Sequence, residues 1–140
     1  MNEIEIEVRF SDCGPAGIAF YGNFFTWFDH GLWRLFDRAG YGRRAIAERW
    51  GLLGWPLIST EGRFLVPVRE GERLALETRI SRWGRSSFDV AHRLRRDGRP
   101  VAEGFERRIW AAPRADGEPG LDPRPVPEEV RLALAALVEP

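Results

Sequence analysis

The chain has 140 residues, 44% hydrophobic and 30% charged, which fits one globular domain and excludes a disordered or fibrous protein. Its 21 basic residues, all arginine, offset 21 acidic ones to a formal net charge of +0, so nothing advertises a nucleic-acid partner. No apolar run nears the roughly 20 residues needed to cross a bilayer, and residues 1–10 do not read as a secretory signal; a cytoplasmic protein without membrane attachment is expected.

From Glu3 to Phe10 the residues alternate strictly, Ile4, Ile6, Val8 and Phe10 on one face and Glu3, Glu5, Glu7 and Arg9 on the other, which predicts a half-buried strand. Residues Ser11 to Ala19, with Asp12, Gly14, Pro15 and Gly17, read as a structured loop; Cys13 within it is the lone cysteine, which excludes an internal disulfide. A helix is expected over about Asn23 to Ala39, Asn23 capping it and Gly40 stopping it. At 100° per residue Phe24, Phe25, Phe28, Leu32, Leu35 and Phe36 share one face, flanked by Trp27 and Trp33, so this helix is predicted to be largely buried.

A shorter helix is expected near Arg43 to Trp50. Strands follow at about Leu57 to Val66, Arg73 to Trp83, Ser86 to Arg96 and Pro100 to Ala112, an expected antiparallel meander turned at Gly71, Gly84-Arg85 and Asp97-Gly98. Pro113 to Pro127 reads as loop, and Val130, Leu134, Leu137 and Val138 mark a final amphipathic helix. The order is that of an α+β domain spanning residues 1–140, with one apolar helix wrapped by an antiparallel sheet. Such a sheet has open edges, so a homodimer or larger homo-oligomer is expected.

Residues Val8 to Asp37, VRFSDCGPAGIAFYGNFFTWFDHGLWRLFD, resemble the 4-hydroxybenzoyl-CoA thioesterase family. That motif runs aspartate-cysteine-aspartate-proline-alanine-glycine, then an aromatic residue, tyrosine, any residue, asparagine and the helix; SRWGRSSF at Ser81 to Phe88 gives a second, shorter correspondence. The resemblance implies a hot-dog fold, five antiparallel strands wrapped around one long helix, and hydrolysis of an acyl-CoA thioester with coenzyme A entering only as part of the substrate. It also implies that the thioester carbonyl is polarised by the Tyr21 N–H. A helix start supplies unpaired donors and about half a positive charge, suited to an oxygen that becomes negative.

The family's catalytic carboxylate falls on Gly14 in this chain, and glycine can neither attack a thioester nor activate water. Asp12 aligns with the motif's first aspartate and reads as a loop-stabilising residue. Asp29, at the margin of the apolar helix face between Phe25 and Trp33, is the substitute base the sequence offers, against the plainer reading of a paired edge carboxylate. Glu61 is a lesser candidate. Cys13 reads as a small packed residue, His30 as a solvated one, and His92 as inward-facing on its strand. Gly17 and Gly22 allow close approach to the backbone, with Phe20, Tyr21, Asn23, Phe24, Trp27 and Phe28 around the substrate; the alternative is that the core claims the aromatic ones. Arg85, with Ser86 and Ser87, matches a position that contacts coenzyme A phosphates in the family; a solvated turn arginine is the alternative. No metal is expected.

Three activities stay open on this scaffold. One is hydrolysis of an aromatic or bulky apolar acyl thioester carried by coenzyme A or a carrier protein. A second, supported by Gly14, is binding of acyl thioesters without hydrolysis. The third is hydration or dehydration of an acyl thioester, which would need a paired histidine and acid beside the carbonyl.

Overall fold

The structure, a computed structural model, describes residues 2–138, without the Val138 side chain; the expectation placed on that side chain lies outside the described residues. Strand β1 (Glu3–Glu7) and a 3-10 turn at Phe10–Asp12 lead through the expected loop to helix α1 (Tyr21–Arg38). Helix α2 (Arg43–Trp50) follows, then β2 (Leu57–Phe64), β3 (Arg73–Trp83), β4 (Ser87–Arg96) and β5 (Arg99–Ile109). Short strands β6 (Ala111–Pro113) and β7 (Leu121–Pro123) precede helix α3 (Glu128–Val138). None of the described helices is long and apolar enough to cross a membrane.

Strands β1 to β5 form one antiparallel sheet in the order β1-β3-β4-β5-β2, the hot-dog arrangement that the resemblance implies. The expected four-strand meander is corrected: only β3, β4 and β5 are sequential neighbours, while β2 crosses over to pair with β5 at the far edge. Asp97 (φ 51°) and Gly98 (φ 79°) make the left-handed two-residue turn joining β4 to β5, as their sequence suggests. The stretch from Pro113 to Pro127 is not all loop, because Leu121–Pro123 pairs with Ala111–Pro113 to make a small ribbon.

Helix α1 buries Phe24, Trp27, Phe28, Gly31, Leu32, Leu35 and Phe36 against the sheet. Two apolar clusters result. One gathers around the helix start with Leu74, Leu76, Leu94 and Val101, the other around its far half with Phe88, Val90, Trp110, Val130 and Leu134. His92 stands between them on β4, and at that level the helix lies close on the strands: a Cβ on Gly31 would come within 2.6 Å of Thr78 Oγ1, and one on Gly104 within 2.5 Å of the Phe28 ring.

The outward sheet face is a ladder of ion pairs, among them Glu5 with Arg73 at 2.7 Å, Glu77 with Arg95 at 3.1 Å and Asp89 with Arg82 and Arg107 at 2.8 Å each. The Arg107 and Arg82 guanidiniums hold the Asp89 carboxyl well below the ordinary aspartate range. Because the folded-state pKa is the lower one, this stabilisation is present above the unfolded value of about 3.9 and disappears as pH falls through the folded value. Asp89→Asn is therefore expected to make the urea midpoint less sensitive to pH between about 5 and 2 than in the wild type. Parallel denaturation series would check it; identical pH slopes would assign the acid sensitivity to other carboxyls.

Candidate active site

The loop before α1 is held by its own backbone. Cys13 and Ala19 form an isolated bridge, Gly14 N–H donates to Ile18 O at 3.0 Å, and Ala19 N–H donates to Val68 O at 2.8 Å. Gly17, at φ +77°, makes the left-handed turn at the loop's tip. Asp12 organises the helix entry. Its Oδ2 accepts the Arg9 N–H at 2.8 Å, and its carbonyl accepts both the Phe20 N–H at 2.8 Å and the Asn23 side-chain amide at 2.7 Å. Cys13 Sγ rests on Arg9 O at 3.5 Å, and the side chain packs against the apolar cluster at the helix start.

The helix begins two residues earlier than the sequence suggests. Phe20 is the N-cap, with no side-chain cap bond, and Asn23 sits inside the first turn instead of capping it. The Asp12 carbonyl takes the Asn23 amide and fixes the chain's entry at Phe20, which a search for capping residues does not anticipate. Among the described residues, neither the Tyr21 nor the Gly22 N–H has an acceptor. Two donors at the positive end of an 18-residue helix are thus left unpaired, beside the exposed rings of Phe20 and Tyr21, whose centroids are 4.6 Å apart. Gly14 lies in the same loop: a Cβ there would meet nothing within 4 Å, and its φ is not in the left-handed region.

Trp27, an expected substrate contact, is 8% exposed within one chain and packs edge-on against Phe24 at 5.0 Å. Phe24 and Phe28 are buried likewise, so of the expected aromatic lining only Phe20 and Tyr21 are open. Asp29 lies two turns beyond Tyr21, about 12 Å along the helix axis, out of reach of a carbonyl held by the Tyr21 N–H of the same chain. Its Oδ1 accepts from Arg108 Nη2 at 3.0 Å, the paired-carboxylate arrangement. Glu61 is exposed on β2 and pairs with Arg63 at 3.4 Å, and His30 is exposed.

Arg108 leads into a buried polar chain that includes His92, inward-facing as its strand position suggests, with Glu106 and Arg108 itself, which sequence reasoning missed. It also donates to the Trp55 carbonyl at 2.9 Å and to Glu106 Oε1, whose other oxygen meets His92 Nε2. His92 Nδ1 in turn lies 2.9 Å from Thr78 Oγ1, and its ring stacks on Phe28 at 4.8 Å. Burial alone would raise the Glu106 carboxyl, but the His92 ring and the Arg108 guanidinium together outweigh it and hold it below the usual range. A histidine and an acid are thus paired, but both are buried beneath α1, with His92 stacked under Phe28 about two turns into the helix. The signal for these residues was β5 itself: Ala102, Gly104, Glu106 and Arg108 share one face, so charges at 106 and 108 had to enter the interior.

A family model described as the thioesterase-like superfamily matches residues 8–134. The chain belongs to that superfamily. It is 32% identical over 118 residues to 4-hydroxybenzoyl-CoA thioesterase of Pseudomonas sp. (strain CBS-3), covering 79% of this chain and 82% of that protein. It is 28% identical over 109 residues to 1,4-dihydroxy-2-naphthoyl-CoA hydrolase of Synechococcus sp. (strain WH7803), covering 74% of this chain and 71% of that one. A solved structure of a 4-hydroxybenzoyl CoA thioesterase mutant complexed with 4-hydroxybenzoyl CoA superposes with a TM-score of 0.85 at 27% identity, covering 94% of this chain and 96% of that one.

Within this thioesterase-like chain, the segment matched to phosphate binding lies at the opposite end of α1 from the open N–H groups. Arg85 is exposed; its carbonyl accepts the Val126 N–H at 2.9 Å, and Ser86 O accepts the Trp110 N–H at 2.8 Å. Ser87 Oγ accepts from Arg82 at 3.2 Å. The helix start packs instead near Val68, Leu94 and Val101, and the helix between these ends is about 27 Å long. One chain does not bring Tyr21 and Arg85 together. Among the described residues no group of three or more His, Cys, Asp or Glu side chains is placed to hold a metal ion.

Proposed function

We propose that this chain is an acyl-CoA thioesterase acting on an aromatic or bulky apolar acyl group, with Gly14 in the place of the usual catalytic aspartate. The observation that carries this reading is the start of α1, where, among the described residues, the Tyr21 and Gly22 N–H groups have no acceptor and stand beside exposed aromatic rings. Such donors stabilise the oxyanion of a tetrahedral intermediate, and the flat faces of Phe20 and Tyr21 suit an aromatic acyl group. Membership of the thioesterase-like superfamily and the named activities of its relatives support the same chemistry.

The separation of Tyr21 from Arg85 favours a homodimer in which one copy supplies the carbonyl donors and the other the phosphate contacts. The edge strand β2, with Leu57, Ile58 and Phe64 exposed, is the surface best suited to that pairing. Arg85→Ala is then expected to raise KM for the coenzyme A ester several-fold while leaving kcat within about twofold, the pattern of lost uniform binding. A kcat loss without a KM change would remove Arg85 from this role.

The second reading, binding without hydrolysis, is favoured by Gly14 alone. Steady-state hydrolysis and equilibrium binding of one panel of aromatic and aliphatic acyl-CoA esters separate the two. Turnover above background supports the enzyme, tight binding with no turnover selects the binding protein, and neither would leave both without support.

A further inference from the structure

We propose that Arg108, backed by Glu106 and His92, is a positioning residue that sets how α1 lies on the sheet and so where its first N–H groups point. This rests on reading the Tyr21 and Gly22 N–H groups as the carbonyl donors. The apolar contacts beneath α1 are non-directional and tolerate small shifts along or around the helix axis. Hydrogen-bonded charges are not so tolerant.

Between the two ends of α1, Asp29 with Arg108 is the one side-chain hydrogen bond from the helix to the sheet among the described residues; Asn23 ties the front to the loop and Arg38 ties the back to Asn2 and Glu3. The Arg108 side chain, 12% exposed and held on β5 beside Glu106, reaches α1 through Asp29 and the approach to β2 through the Trp55 carbonyl. It thus links the helix that carries the donors to the strand edge at which a second copy would complete the site. Behind it, His92 joins Glu106 on β5 to Thr78 on β3, and Thr78 Oγ1 stands against the one helix position, Gly31, where there is no room for a side chain. The chain of contacts therefore fixes the helix in rotation as well as in height.

The probe is phenacyl-CoA, a ketone in which a methylene group separates the carbonyl from sulfur, so that it binds without being hydrolysed. In the wild type its infrared carbonyl stretch is expected to move to lower frequency on binding. In Arg108→Lys, which keeps the charge but loses the three-way fork, that shift is expected to shrink markedly. The kcat for benzoyl-CoA is expected to fall about tenfold or more with KM little changed, since misplacement by about an ångström is enough for such a loss. Thr78→Val, which removes only a hydroxyl at the far end of the chain, is expected to move both readouts the same way by less, and serves if Arg108→Lys does not fold.

A folded Arg108→Lys with an unaltered stretch and kcat overturns the positioning role and leaves the site's reading intact; so does an unaltered Thr78→Val if only that variant folds. A wild type that does not bind phenacyl-CoA overturns the site's reading, and this inference with it.

Discussion

Gly14→Asp is expected to raise kcat/KM for an aromatic acyl-CoA by about a hundredfold or more, the lower range of what a positioned general base contributes. The structure offers little steric resistance: the space beyond Gly14 is open and its backbone angle suits an L residue. The loop around it is held by main-chain bonds that the new side chain leaves alone, Gly14 N–H to Ile18 O and Gly17 N–H to Gly14 O, each at 3.0 Å. The new carboxylate would stand in the loop leading directly to the unpaired N–H groups, whereas Asp12 is engaged with the Arg9 N–H and Asp29 with Arg108. Steady-state kinetics of the variant beside Gly14→Asn, which matches aspartate in size without being a base, would isolate the carboxylate. Equal activity in all three proteins would mean that the chemistry has moved to another group.

Phe28→Ala is expected to destabilise the fold by roughly 3–5 kcal/mol, a large share of what a domain of this size holds. Phe28 is fully buried, stacks on His92 and fills the hollow that Gly104 leaves in β5. Removing the ring would open a cavity beside a polar chain whose bonds depend on exclusion of water. The glycine supplies the internal check. Gly104→Ala alone puts a Cβ within 2.5 Å of the ring and is expected to cost about 1–3 kcal/mol, but very little once Phe28 is already alanine. Urea denaturation of the four proteins in this cycle measures the coupling. Additive losses would show that ring and glycine do not constrain each other.

The parts of the fold governed by period were legible in the sequence. The alternation of β1 and the apolar face of α1 each follow from which side chains must leave water, and α1 buries the face that pattern marks; β1, expected to run to Phe10, stops at Glu7, because the chain turns into a 3-10 helix that leaves Phe10 in solvent. The crossover of β2 was not legible, because sequence adjacency suggests a meander and nothing local in Leu57–Phe64 announces its pairing with β5. The β6 and β7 ribbon was hidden by its prolines and by its length of three residues per strand. At the site the loop could be placed, while the helix start fell two residues before the expected one, because the role of Asn23 depended on the Asp12 carbonyl, a main-chain partner eleven residues earlier. The His92, Glu106 and Arg108 chain was readable in principle, since charges on the inward period of a central strand must find partners. Which partners they find depends on strand order, and strand order is set by contacts distant in the sequence.

Strand β2 has a further consequence for how the protein comes into being. A chain newly released from the ribosome carries an unpaired flank of hydrogen-bonding groups with Leu57, Ile58 and Phe64 bare beside it. Any extended polypeptide nearby can pair with such a flank. An edge of this kind is a place where extended chains can pair out of register, so aggregation from partly folded states is expected to begin there.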